Sequence, residues 1–250
     1  MLAKAYLDVI RQMMGQLENE ELIHIDQIAE EAAAAVKAGH VIYLYDHGHM
    51  LNHELFDRAG GIALLGQVAP VRPSQPTTAV RPAAGRDLPR PAWNNGMDSE
   101  FARFVVMQAD MRRGDWFFIA SAAGRAPFLV DLALTARSAG VYTVGLIALR
   151  YAKILPALHP SGQLLHHVVD DLIDLQTSEG DAELSLEGLD EKIGSASGIM
   201  GALIGWMIVA ALAEAMVARG IPPTVFRSAQ YPDGPARLRA ARERYQRLGY

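Results

Sequence analysis

The stretch GDWFFIASAAGRAPFLVDLALTARSAGVYTVGLIAL, residues 114 to 149, constrains the fold more than any other part of the chain. WFFIAS is an apolar run with no polar alternation, which marks a strand buried on both faces. The glycine-bearing turn AAGRAP follows, then a helical pattern that stops at Ser138-Ala139-Gly140, and at once a second β-rich run, YTVGLIAL. Strand, turn, helix and strand in that order predict a parallel sheet wrapped by crossover helices.

The flanking sequence extends this plan. Residues 2 to 37 carry apolar side chains at helical spacing, interrupted at Glu18, Asn19, Glu20 and Glu21 and stopped by Gly39. Val41 to Tyr45 predicts a strand, and the polar DHGH after it predicts a turn into a helix running through Arg58 to Gly60-Gly61. Residues 68 to 97 hold six of the thirteen prolines and show neither period, so they predict a long loop. A helix from about Asp98 to Arg112, a strand near Leu172 to Leu175, an apolar helix over 196 to 219 and a charged helix over 235 to 250 complete the chain. The expectation is one α/β domain spanning residues 1 to 250, with additional helices at both ends.

Composition narrows the function. The 250 residues are half apolar, enough for one large core, and the net charge of −5 comes from interspersed acids and bases. Neither nucleic acid nor an anionic membrane is an expected partner. With no cysteine, disulfides, thiolate metal clusters and cysteine nucleophiles are excluded, and an intracellular, cytoplasmic protein fits best. The N-terminal segment mixes charges into a helical period, unlike a signal peptide. Gly198 to Ala213 is nearly free of polar side chains, yet it is short for a span and holds three glycines, so it predicts a buried or interface helix.

In open parallel sheets ligands bind beyond the carboxyl ends of the strands. Two turns lie there, DHGH at 46 to 49 and SAAGR at 121 to 125. Backbone amides in such turns receive anions, and Ser121 adds a hydroxyl donor. His47, Gly48, His49, Ser121, Gly124 and Arg125 are therefore the expected ligand contacts. Ser197 opens the apolar helix and is read either as a ligand contact or as its cap. A metal site is the lesser alternative: His49 and His53 fall four apart on the expected helix, with Asp46 near. No cofactor is called for.

Three blocks, HMLNHELFDRAGG (49 to 61), GDWFFIASAAGRAP (114 to 127) with HPSG (159 to 162), and PPTVFRSA (222 to 229), resemble the SIS (sugar isomerase) domain. The likeness is to a branch of small proteins related to phosphoheptose isomerases, and it covers nearly the whole chain. It implies a three-layer sandwich with a central five-stranded parallel sheet, a homodimer or tetramer, and a sugar or sugar phosphate as ligand. It also implies aldose–ketose isomerisation through an enediol, with Glu54 as the carboxylate base and His159 as the proton shuttle. The second turn departs from the pattern, because Ala122, Ala123 and Ala126 stand where relatives carry polar residues. Each missing hydroxyl removes a donor worth about 1.5 to 3 kcal/mol to a charged group. A non-catalytic sugar sensor and a metal-dependent enzyme at residues 46 to 54 stay open as alternatives.

Overall fold

The computed structural model describes residues 1–52, 54–56, 58–69 and 97–250. Helices α1 (Leu2–Glu20) and α2 (Leu22–Lys37) break at Glu21, inside the predicted interruption. Then come β1 (Ile42–Asp46), β2 (Leu65–Gln67), α3 (Met97–Gln108), β3 (Trp116–Ala120), α4 (Pro127–Ser138) and β4 (Tyr142–Ile147). Two single-turn helices, α5 (Leu149–Ala152) and α6 (Leu165–Val168), precede β5 (Asp171–Asp174), and the long helices α7 (Ser197–Ala218) and α8 (Gly234–Leu248) end the order.

The five strands form one parallel sheet in the order β2-β1-β3-β4-β5. Side chains of β3 alternate between its faces, which explains why the run is apolar throughout. Trp116, Phe118 and Ala120 enter the core shared with α1, α2 and α7, whereas Phe117 and Ile119 enter the core shared with α3, α4 and α6. The result is the expected three-layer α/β sandwich.

Strand order reverses at β1: the chain moves outward to β2 on one side, then returns to lay β3, β4 and β5 on the other. Register places Asp46 beside Ala120 and Ala120 beside Leu146, so these strands end at one level. The crevice at the switch point therefore opens between the turns after β1 and β3.

One expectation is corrected: no helix forms after the first turn among the described residues, where 47–52, 54–56, 59 and 60 run as bends and turns. Strand β2 has only three residues, too few to show a period in the sequence. The predicted long loop, 68 to 97, falls almost wholly on residues 70 to 96, which lie outside the described set.

Helix α7 is long and apolar enough to cross a membrane by length and composition, but half of the window is buried in the fold. It lies along α2, whose Ala29, Ala32 and Ala33 permit close approach. Its glycines receive the loop after β1: a Cβ on Gly201 would meet Met50 Cβ at 2.8 Å, and one on Gly205 would meet Leu55 and Leu51 at 2.8 and 2.9 Å. Gly205→Val is expected to destabilise the fold by about 1 to 3 kcal/mol through overpacking, measured by urea denaturation.

Candidate functional site

The loop after β1 is organised by Asp46, which is 3% exposed. Its carboxylate accepts the backbone amides of Gly48 (2.9 Å), Leu51 (2.7 Å) and Asn52 (3.2 Å). The Asn52 side-chain amide returns a bond to the Asp46 carbonyl at 3.0 Å. These bonds tie 48 to 52 back onto the end of β1 as a side-chain-organised turn. Both oxygens of Asp46 serve the loop. Among the described residues no three metal-ligating side chains come together, and His53, the third member of the metal alternative, lies outside them.

His47 and His49 are exposed at the crevice. The His47 amide donates to the Ala120 carbonyl at 2.9 Å, joining the two turns, and its Nδ1 lies 3.1 Å from the Tyr45 hydroxyl. The His49 ring rests over Gly198 in the first turn of α7, where a Cβ would meet it at 3.6 Å. Gly48 is exposed between them.

On the β3 side, Ser121 is 7% exposed and its Oγ accepts the Gly124 amide at 3.1 Å. The hydroxyl proton remains for another acceptor. Gly124 has φ +60°, and its missing Cβ faces Leu165 at 3.2 Å, while its carbonyl accepts the Leu165 amide at 2.9 Å. Glycine is needed there for the turn and for packing on α6, not for a ligand's approach as the sequence reading had it. The amides of Ala122, Ala123 and Arg125 have no hydrogen-bond partner among the described residues. They lie just before the N-terminus of α4. Arg125 donates from Nε to the Pro156 carbonyl at 2.8 Å, which holds its side chain against the segment after α5.

Ser197, expected as a ligand contact, is 1% exposed and engaged elsewhere. Asp181 accepts its amide (2.7 Å) and hydroxyl (2.6 Å), the Ala196 amide (3.2 Å) and the Ser195 hydroxyl (2.6 Å). This is a cap on α7, supplied from a distant loop. Burial pushes the Asp181 pKa up, but the hydrogen bonds from Ser195, Ser197 and the two amides outweigh it and leave the group below its ordinary 3.8.

His159 is also fully engaged. Its Nδ1 accepts the Ser161 amide at 3.1 Å and lies 2.7 Å from the Ser161 hydroxyl, so Nε2 carries the proton toward Asp131 at 3.2 Å. It pins the HPSG turn to α4, and no ring nitrogen is left for a ligand while those bonds stand. Glu54 is held at both oxygens: the Trp206 indole donates to Oε1 at 3.2 Å, and Arg58 binds Oε2. The structure thus gathers His47, Gly48, His49 and Ser121 at one crevice, turns Gly124 away, and gives Ser197 and His159 scaffold partners. Asp181 and Asp131 carry no signal in the sequence, since a lone acid has no spacing pattern.

Comparison with known proteins places these features in context. A sequence profile described as the SIS domain matches residues 5–148. A UPF0309 protein of Geobacillus thermodenitrificans is 32% identical over 228 residues, covering 89% of this chain and 86% of that protein. Another from Geobacillus kaustophilus is 30% identical with the same coverage. Among solved structures, phosphoheptose isomerases from Neisseria gonorrhoeae and Francisella tularensis superpose with TM-scores of 0.52 and 0.50. They are 15% and 12% identical, each covering 85% of this chain and 96% of the other.

Asp181 is a group with depressed pKa, so its stabilisation is complete above the unfolded value and is lost as pH falls through the folded one. Asp181→Asn is expected to lower stability at neutral pH by about 1 to 3 kcal/mol. It should also flatten the fall in stability between about pH 5 and pH 2, followed by urea midpoints across that range.

Proposed function

The chain belongs to the SIS domain family, and on that premise we propose that it binds a phosphosugar or related carbohydrate derivative in the crevice between the turns after β1 and β3. The observation that carries this reading is the set of unpartnered amides at Ala122, Ala123 and Arg125, beside the Ser121 hydroxyl and ahead of α4. Such a turn presents N–H groups to an anion, and the helix dipole adds to the attraction. His47, Gly48 and His49 form the opposite wall. The names of the superposed phosphoheptose isomerases support a sugar phosphate as the ligand class.

Aldose–ketose isomerisation requires a base for a carbon-bound proton and a group that moves protons between neighbouring oxygens. Glu54 is the base candidate in this reading. Arg58 and Trp206 hold its carboxylate still, so it reaches a carbon proton after Arg58 gives way to the ligand. His159 keeps its shuttle role only if the bond to Asp131 or Ser161 opens, whereas exposed His49 meets the crevice directly. The engagement of both Glu54 and His159 favours the second reading, a sensor that binds the sugar without turning it over.

The family setting and the outward apolar side chains Leu7, Met14, Ile23, Ile199 and Val217 support a homo-oligomer. A cytoplasmic protein remains the reading of the cysteine-free composition.

Saturating sugar phosphates are expected to raise the melting temperature by several degrees, and the unphosphorylated sugars much less. Ser121→Ala with Arg125→Gln should remove most of that rise. No rise with any sugar or sugar phosphate would defeat the binding proposal. In turnover assays on the stabilising ligands, Glu54→Gln is expected to lower kcat by about a hundredfold or more while binding persists. Stabilisation with no wild-type turnover would leave the sensor reading in place of the isomerase.

A further inference from the structure

The segment 224–226 is held on one side like a strand. Gly60 and Ala63 donate to the carbonyls of Phe226 and Thr224, and Phe226 donates to Gly61, each at 2.9 Å. Its other side and α8 line an open surface pocket of about 390 Å³, outside the crevice described above. Arg227 projects from the segment, and Arg237 and Arg244 from α8. The two helix arginines are seven residues apart and so share a face, with Ala240 and Ala241 between them too small to fill the space.

Two of the three guanidiniums share one side-chain carboxylate. Arg227 and Arg237 both bond the same oxygen of Asp233, Oδ2, at 3.4 and 3.0 Å. The Arg237 hydrogen bond and the charge of Arg227 lower the Asp233 pKa. Arg244 is anchored by the Thr224 hydroxyl and by the carbonyls of Pro222 (2.8 Å) and Tyr250 (3.3 Å). Arg227 also lies over the Tyr231 ring, 4.4 Å from its centroid, which fixes its plane. Three guanidiniums lining one hollow of small-molecule size suit an anionic ligand.

We propose that this cavity binds a small phosphorylated molecule, with Arg227 and Arg237 turning from Asp233 onto the phosphate and Arg244 holding the wall behind it. The alanines and Val225 leave room for a compact organic body. Planar guanidiniums bind phosphate oxygens in pairs, a geometry that a single shared carboxylate oxygen leaves unfilled. The site does not depend on the reading of the crevice.

Equilibrium dialysis of the full chain against radiolabelled inorganic phosphate at low ionic strength tests it. Two saturable sites per chain are expected. Arg227→Gln with Arg237→Gln should weaken one by at least about tenfold, the equivalent of one charge-assisted bond, and Ser121→Ala with Arg125→Gln should weaken the other. One wild-type site abolished by the Arg227/Arg237 pair supports the cavity and leaves the crevice to the sugar-phosphate melting test. One site that survives that pair, or no saturable site at all, overturns the cavity. Asp233→Asn guards against a loss that merely reflects unfolding, because freeing both arginines should tighten the cavity site by about tenfold. Unchanged or weaker binding in Asp233→Asn overturns the proposal.

Discussion

Everything in this protein follows from β3 being buried on both faces. Trp116, Phe118 and Ala120 need one layer of helices and Phe117 and Ile119 need another, so the sheet must be parallel and its connections must cross over it. Crossovers bring each strand's carboxyl end out on the same rim. The reversal of order at β1 then separates two neighbouring turns and leaves a crevice between them. The location of the candidate site is a consequence of core packing before any functional residue is considered.

Polar groups near the crevice divide by what they already hold. Asp46, Asp181, Glu54 and His159 look chemical in a sequence, yet each is occupied by amides, hydroxyls, an indole or an arginine. A buried carboxylate is tolerated only with such partners, and the partners make it scaffold. The groups at the rim are more modest: backbone amides, the buried Ser121 hydroxyl, the exposed His49, and His47 beside the Tyr45 hydroxyl. This distribution suits recognition of an anion more directly than proton transfer.

The fold was legible where burial acts on long runs. The periodic helices at both ends, WFFIA and YTVGLI were found because each must present apolar residues at a fixed interval. The segment after β1 misled for a local reason: its alternation of apolar and polar residues fits a helix, but Asp46 reaches forward to the amides of Gly48, Leu51 and Asn52, an interaction without a periodic signature. Strand β2 lacked length. At the site, turn chemistry pointed to Ser121 and the histidines, while the roles of Gly124, Ser197 and His159 depended on Leu165, Asp181 and Asp131, contacts distant in sequence that no single motif encodes.

The pairing of 60–63 with 224–226, and the seating of Met50, Leu51 and Leu55 against the glycines of α7, carry a further meaning for how the molecule comes to exist. The loop after β1 is synthesised in the first quarter of the chain, but its supports come from the last. During synthesis the sheet can assemble while this loop has nothing to lie on. Contacts of such sequence separation close late, since the loop entropy must be met first. A nascent chain would carry a formed sheet and an unfinished crevice until its final helices leave the ribosome, so ligand recognition becomes a property of the finished polypeptide alone.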